Sequence, residues 1–264
     1  MQCSWRKGAN CITGIFDKDE NVLCEPFTKS CMKTISPLYW RIPILLWASV
    51  IMLWSMSFFW GPTGKFFLYM THWGLGFIVM ETTFGIYVAI RHKRLTADAT
   101  FGLPWYVKVY WLLYNITIPV AFLITVFYWG ILRTAKKSVN YAPNPVLDVM
   151  LHGVNSVVML IELFCSAHPS RLMHVMQPLW FAGAYMLFTI IYYFAGGQDP
   201  WGNPFIYPVV DWSKPEQTLV VITLTALFLA LMHLIVVGLA SARDAIAKRR
   251  QSDTAGVYND AFTP

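Results

Sequence analysis

The chain has 264 residues, of which 56% are hydrophobic and 13% are charged, and its formal net charge is +6. A soluble domain carries about 25% charged residues, so this composition excludes an ordinary water-exposed globular protein and indicates an integral membrane protein. The basic residues lie between and after apolar runs instead of in one patch. That distribution is typical of membrane topology and argues against a nucleic-acid partner.

The N-terminal segment, residues 1–41, contains no apolar core of the length that a secretory signal needs. It holds four of the five cysteines, which are Cys3, Cys11, Cys24 and Cys31. Their spacing matches no usual zinc signature, so we predict a cytosolic segment with reduced or acylated thiols. No metal and no cofactor is expected there.

Six apolar runs follow, each long enough to cross a hydrocarbon layer of ~30 Å, which needs about 20 residues. They are residues 42–60, 66–90, 109–132, 146–165, 178–195 and 218–240. The predicted fold class is an all-α membrane protein, a bundle of six transmembrane helices over residues 42–240. A basic and then disordered cytosolic tail is predicted for residues 241–264.

The loop charges orient this bundle. Segments on the side of the N-terminus hold 14 lysines and arginines, and the opposite loops hold 5. Positive residues favour the cytosolic side, so both termini are predicted to be cytosolic. The opposite loop at 196–217 is rich in Trp, Pro and Tyr and is expected to cover the helix ends, either by packing alone or as the cap of a cavity.

Polar residues fall at two depths in the even-numbered helices. Thr71 and His152 lie about 8–9 Å below the outer boundary, at 1.5 Å per residue. Asn155 shares a helix face with His152, one turn deeper. Ionisable groups in a membrane avoid lipid, so this face is predicted to point into the bundle or towards a small wet cavity. A neutral histidine can accept the proton of a threonine hydroxyl, but the spacing alone leaves open whether the two residues meet.

The deeper level consists of Glu81, Glu162 and His233, about 22–24 Å below the boundary. Two interpretations fit these residues: a structural hydrogen-bonded cluster, or a metal ligand set, for which the signal is weak. Asn115 is expected to hydrogen-bond between helices. His72 points away from Thr71 and is expected to be a packing residue, and Asp148 is expected to lie in water at the boundary.

Several stretches carry a family resemblance. They are "MTHWGL" at 70–75, "WLLYNI" at 111–116, "LHGVNSVVMLIELF" at 151–164, "IYY" at 191–193 and "IYPVVDW" at 206–212. In this order and spacing they resemble the rolling stone family, from about residue 20 to 242. The resemblance implies a multi-pass animal membrane protein at the plasma membrane, with a role in myoblast fusion during myogenesis or in other cell–cell fusion. Membrane protein partners are then expected.

A more distant similarity is to the androgen-induced membrane hydrolases, which cleave fatty acid esters of hydroxy fatty acids with a threonine and a histidine. "KFFLYMT" places Thr71, and "LHGVNSVVMLIE" places His152, at the corresponding points, and Tyr207-Pro208 matches a "YP" after the fifth helix. The similarity implies that Thr71 attacks the carbonyl of a fatty acyl ester drawn from the lipid bilayer. His152 accepts and then donates the proton, and Asn155 orients the imidazole or stabilises the oxyanion.

Other classes of function stay open. One alternative is that the protein acts in fusion through contacts alone. The others are that it hydrolyses lipid esters without a role in fusion, or that it is a small transporter or a non-catalytic scaffold. A polar interior also suits a transporter, although no inverted repeat is visible in the sequence. A haem-binding electron carrier would need paired axial histidines, and the deeper level offers only His233.

Overall fold

A computed structural model describes residue 30 and residues 35–59, 61–91, 104–134 and 144–260, with side chains as far as Arg249. The N-terminal cysteines named above lie outside the described residues, so the prediction made for them stays a prediction. Within the described parts the chain is helical and contains no strand beyond two isolated bridges.

Six helices are long and apolar enough to cross a membrane, which confirms the predicted fold class. They are α1 Leu38–Ser57, α2 Met70–Arg91, α3 Trp105–Leu132, α4 Pro145–Cys165, α5 Leu172–Phe194 and α6 Pro215–Asp260. Prolines mark several starts, because proline fits the first turn of a helix, where its missing N–H is not needed. Pro104 precedes α3, while Pro145 and Pro215 open α4 and α6.

The helix bounds differ from the predicted runs in three places. α1 begins four residues before the predicted position 42, so Arg41 lies inside the helix and is buried. The predicted second run divides into a 3-10 helix, Thr63–Leu68, and α2, so Thr71 lies in the first turn of α2 and not a full turn down. α6 continues well beyond residue 240. A window of apolar residues cannot detect such ends, because polar residues that find partners in the fold continue a helix as well as apolar ones do.

α3 is the central helix. It packs against α2, α4, α5 and α6, and 61% of its apolar window is buried, compared with 22% for α6. Glycine lets α2 approach it closely. A Cβ atom on Gly74 would lie 2.6 Å from the Ile124 side chain, and one on Gly85 would lie 2.9 Å from the Tyr110 ring. Small residues at such contacts are typical of membrane helix pairs.

We refer to two ends of the bundle. The cavity end is where α1, α3 and α5 end and α2, α4 and α6 begin, and the opposite end is the other one. At the cavity end, the loop between α5 and α6 folds back over the helices, where Ile206, Tyr207 and Val210 join a buried cluster with residues of α2, α3 and α5. Lys65 Nζ donates to the Asp199 carbonyl oxygen at 2.9 Å and ties this loop to the 3-10 helix. The covering of the helix ends predicted for this loop is confirmed.

Candidate active site

A cavity of about 70 Å³ lies at the cavity end, between α2, α3, α4, α5, α6 and the loop that covers them. A water needs at least roughly 10–15 Å³ by this measure, so the cavity has room for several waters or for the polar head of a lipid. Most of its wall is apolar. Its polar wall residues are Tyr69, Thr71, His72, Tyr128, His152, Tyr185, Tyr207 and Thr225. Thr71 and His152, the predicted pair, therefore face the same space.

Thr71 lies in the first turn of α2 and is half-buried. The adjacent Met70 N–H donates to the Tyr207 hydroxyl at 3.0 Å, and Tyr207 lines the cavity together with Thr71. Burial raises the pKa of Tyr207 to about 12, so this hydroxyl keeps its proton at neutral pH. The loop residue Tyr207 thus holds the start of α2, next to Thr71, through the Met70 N–H.

His152 lies in a wide π-helical turn of α4, Met150–Val154. Its Nδ1 lies 2.9 Å from Asp148 Oδ1 and 3.1 Å from the Asp148 carbonyl oxygen. A carbonyl oxygen only accepts hydrogen bonds, so Nδ1 is the nitrogen that carries the proton in the neutral ring. The lone pair of the neutral ring is then on Nε2, so Nε2 is the nitrogen that can accept a proton as a base.

Asp148 lies one turn before His152 and is buried, with 5% of its surface exposed. The expectation that it lies in water at the boundary is wrong. The Tyr128 hydroxyl donates to Oδ1 at 2.5 Å, and Arg133 Nη1 lies 3.3 Å from Oδ2. The sequence carries a signal for this contact, because residues four apart lie on one face of a helix.

The Tyr128 ring also stacks on the His152 ring, with centroids 3.5 Å apart and planes 8° from parallel. Tyr128 itself opens a second π-helical turn, Tyr128–Leu132, at the end of α3. Such wide turns are rare and are found frequently at functional sites. Two of them meet here, and together they set the position of the imidazole.

Asn155, the third predicted site residue, is not among the residues that line the cavity. Its Oδ1 accepts from Thr125 Oγ1 at 3.0 Å and from the Ser156 N–H at 2.7 Å. The imidazole-orienting contact expected of Asn155 is made by Asp148 instead, because Nδ1 of His152 points back along the helix towards the preceding turn. A role of Asn155 at the oxyanion stays a prediction.

His72 and Asn115 have defined partners. His72 is buried and stacks on Phe66, with its ring nitrogens near the Phe66 carbonyl oxygen and Ser55 Oγ, as a packing residue would be. It also lines the cavity, which its helical position did not suggest. Asn115 Nδ2 lies 3.1 Å from His174 Nδ1 of α5, which confirms the predicted interhelical hydrogen bond.

The residues predicted for the deeper level lie at the opposite end. The hydrogen bonds there centre on Arg41, which the apolar pattern did not indicate. Its guanidinium contacts both oxygens of Glu162, with Nη2 at 2.9 Å from Oε1. Trp40 Nε1 and the Tyr110 hydroxyl donate to the same carboxylate at 2.6 and 2.8 Å. Arg41 was missed because it lies at the edge of an apolar run and was assigned to the N-terminal segment.

Glu81 and His233 do not complete a metal site with Glu162. The His233 Nε2 lies 3.0 Å from the Arg171 carbonyl oxygen, away from both glutamates. Over the residues that the structure describes, no three His, Cys, Asp or Glu side chains are grouped so that they could hold a metal ion. Among the described residues, Glu81, Glu162 and His233 are therefore not brought together as one ligand set, and Glu162 belongs to a hydrogen-bonded cluster.

Comparisons with known proteins agree with the architecture. The family described as "Protein rolling stone" matches residues 15–251. The protein rolling stone of Drosophila melanogaster is 34% identical over 186 residues, which cover 64% of this chain and 63% of the fly protein. The match thus spans less than two thirds of that relative. No solved structure matches the chain. A profile match over nearly the whole chain and six spans in the expected places lead to one conclusion: this multi-pass membrane protein belongs to the rolling stone family.

Proposed function

We propose that this protein takes part in cell–cell fusion, as in the joining of myoblasts, and that it does so as a lipid ester hydrolase of the plasma membrane. The fusion role is proposed from its membership of the family. The observation that carries the hydrolase role is that Thr71 and His152 line one cavity among apolar helices, with the proton of the imidazole held on Nδ1.

The chemistry follows from these two side chains. Nε2 of His152 takes the proton from the Thr71 hydroxyl as its oxygen bonds to the ester carbonyl carbon. The resulting tetrahedral oxyanion collapses, the bond to the alcohol oxygen breaks, and the leaving alkoxide takes the proton from Nε2. Water then adds to the acyl-threonine with the same proton transfers, which releases the fatty acid and restores Thr71.

The start of α2 supports the charged intermediate. Thr71 lies in the first helical turn, where the helix dipole is positive, although the Met70, His72 and Trp73 N–H groups already donate to Tyr207 and Tyr69. An oxyanion formed at the carbonyl next to Thr71 Oγ1 would lie near this positive end of the helix.

The cavity wall supports a lipid substrate. Leu123, Ile124 and Phe127 of α3 form one side, and Val221 and Ile222 of α6 form another. An acyl chain from the bilayer can lie against such residues without a desolvation cost, because lipid tails and these side chains are equally apolar. The polar side chains of Thr71 and His152 line the same cavity as these apolar residues.

A fluorophosphonate probe tests the hydrolase role on the purified full chain. We expect the wild-type protein to be labelled, and labelling to fall to background in Thr71→Ala and His152→Ala. Thr83→Ala is the matched control, because Thr83 is on the same helix, is exposed, and donates only to the Val79 carbonyl oxygen. A wild-type protein that is not labelled, or a Thr71→Ala variant labelled as strongly as wild type, contradicts the proposal.

A non-catalytic role in fusion is the second candidate, because the family relation does not depend on Thr71 acting as a nucleophile. Cells that lack the protein are complemented with wild type, Thr71→Ala or Thr83→Ala at matched surface expression. The hydrolase proposal predicts that fusion is restored by wild type and Thr83→Ala only. Full rescue by Thr71→Ala favours the non-catalytic role.

A further inference from the structure

We propose that Asp148 is a positioning residue that holds His152 as a base towards the cavity, so that the site is a Thr71–His152–Asp148 triad. This inference rests on the proposed function, because it deepens the role of the same site. Nothing in the sequence resemblance assigns Asp148 a role.

The first step of the argument is the tautomer. Asp148 offers Nδ1 of His152 two acceptors, its carboxylate oxygen and its own carbonyl oxygen, at 2.9 and 3.1 Å. In the other tautomer Nδ1 carries a lone pair instead of a proton. It would then face two oxygen acceptors and donate to neither. The acid therefore favours the form of His152 in which Nε2 is unprotonated, and this is the form that accepts the threonine proton.

The second step is the rigidity of Asp148 itself. Each carboxylate oxygen has its own donor, since Tyr128 donates to Oδ1 and Arg133 Nη1 lies near Oδ2. The Arg133 side chain is 48% exposed and that of Asp148 is 8% exposed, so the arrangement reaches from the protein surface to the buried acid. Tyr128 has two contacts at once, a hydrogen bond to the acid and a ring stacked on the imidazole.

The third step is the charge that appears during the reaction. When Nε2 takes the threonine proton, the ring becomes an imidazolium in a largely apolar wall. A carboxylate at 2.9 Å from Nδ1 stabilises that cation, and it does so without receiving the proton. The i,i+4 spacing of acid and base within one helix makes this contact local, and the wide turn Met150–Val154 presents the ring to the cavity.

Ester turnover provides the first test, with the purified full chain in lipid nanodiscs and p-nitrophenyl butyrate as the probe. We expect Asp148→Asn to lower kcat by about 10²–10⁴-fold with KM changed less than about threefold, since the base and not the binding wall is affected. The matched control is Asp211→Asn, at the same end of the bundle, whose carboxylate accepts only from Ser213 of its own loop. We expect the control to retain the wild-type kcat.

Nitrogen NMR of the protein labelled at histidine provides a readout that does not need turnover. We expect the His152 proton to be on Nδ1 in wild type, and a detectable Nε2-protonated fraction in Asp148→Asn, where the backbone carbonyl oxygen is the one unchanged acceptor for Nδ1. If Asp148→Asn keeps both the wild-type tautomer and the wild-type kcat, the proposal is overturned. A wild-type protein with no ester turnover overturns the proposed function instead, while the tautomer comparison still decides whether Asp148 fixes the ring.

A second variant covers the case in which Asp148→Asn does not fold. Tyr128→Phe keeps the ring that stacks on His152 and removes only the hydroxyl that donates to Asp148. One lost hydrogen bond to a charged group is expected to lower kcat by about tenfold. An unchanged kcat and an unchanged tautomer in Tyr128→Phe overturn the proposal in the same way.

Discussion

Two buried carboxyl groups at the opposite end, those of Glu162 and Glu81, have different surroundings. Glu162 accepts hydrogen bonds from Trp40, Arg41 and Tyr110. Neither oxygen of Glu81 has a hydrogen-bond partner among the described residues, although its side chain is equally buried. Individual residues of the same type and depth therefore contribute differently to stability, according to the donors around them.

Glu162→Gln is expected to destabilise the fold by about 3–5 kcal/mol, because it leaves the buried Arg41 without its opposite charge. Glu81→Gln removes no hydrogen bond that the structure describes and is the matched comparison. Thermal unfolding of the purified variants in detergent measures both. Equal midpoints for the two variants would show that the Arg41–Glu162 pair is not what holds this end together.

At this scale the sequence predicted part of the site. The depth and helix face of His152 predicted a side chain directed into the bundle, and Thr71 and His152 both line the cavity, while their catalytic pairing comes from the distant resemblance and stays a proposal. Asp148 and Arg41 were missed for a shared physical reason. A charged residue near the end of an apolar run is expected in water, and only the folded chain shows that Tyr128, Arg133 or Glu162 is placed to meet it.

Helix pairs are held together by close approaches that the apolar pattern does not encode. α2 meets α3 where Gly85 faces the Tyr110 ring, and the Gly85 carbonyl oxygen accepts from Arg41 Nη1 of α1 at 2.9 Å. Three helices thus meet at one glycine. Arg41 reaches the Gly85 carbonyl oxygen because glycine has no side chain in the way. The hydrogen bond and the close helix approach therefore both depend on this glycine.

Gly85→Ala is expected to destabilise the protein by about 1–3 kcal/mol, since the added Cβ would lie 2.9 Å from Tyr110 and 3.2 Å from Arg41 Cδ. Gly183→Ala in α5 is the control, because nothing lies within 4 Å of its Cβ and alanine favours a helix. The thermal midpoint should fall in the first variant only. A midpoint at or above that of wild type for Gly85→Ala would contradict the close packing.

α6 is joined to α4 by Arg243, which donates to the Leu163 carbonyl oxygen at 2.8 Å and to the His168 carbonyl oxygen at 2.7 Å. Arg243→Lys keeps the charge but lacks the planar fork that reaches two acceptors. We expect the variant to unfold at a lower temperature, by the equivalent of about 1–3 kcal/mol. Lys248→Arg, at an exposed position further along the helix, serves as control, and equal midpoints for the two variants would remove this role of Arg243.

Helix number and order could be predicted from the sequence, because length and apolarity decide them. The helix ends could not be predicted from the sequence. α6 has 46 residues and is about 69 Å long, more than twice the ~30 Å of a hydrocarbon layer. Its part beyond residue 240 is held by contacts such as those of Arg243, which no local pattern reveals.

The whole molecule is a six-span bundle with a polar cavity near one boundary and a buried ion pair near the other. Six spans place residues 35 and 249 on the same side of the membrane. The excess of lysine and arginine on that side favours the cytosol. The cavity would then open near the outer surface of the cell, where membranes meet before fusion.

Epitope accessibility tests this orientation. An epitope inserted after Gly202, in the exposed part of the loop between α5 and α6, is expected to be stained in intact cells. An epitope added after Pro264 should be stained only after permeabilisation. Staining of the C-terminal epitope in intact cells would reverse the orientation, and a loop epitope hidden until permeabilisation would contradict a location at the cell surface.

The central claim is that the Thr71 hydroxyl is the nucleophile. The most direct measurement is to locate the covalent adduct of a fluorophosphonate by mass spectrometry of the digested protein. The account predicts one modified peptide, with the added mass on Thr71. Its amount should be reduced to background by His152→Ala and left unchanged by Thr83→Ala. An unmodified Thr71, or an adduct on another residue that persists in His152→Ala, would contradict it.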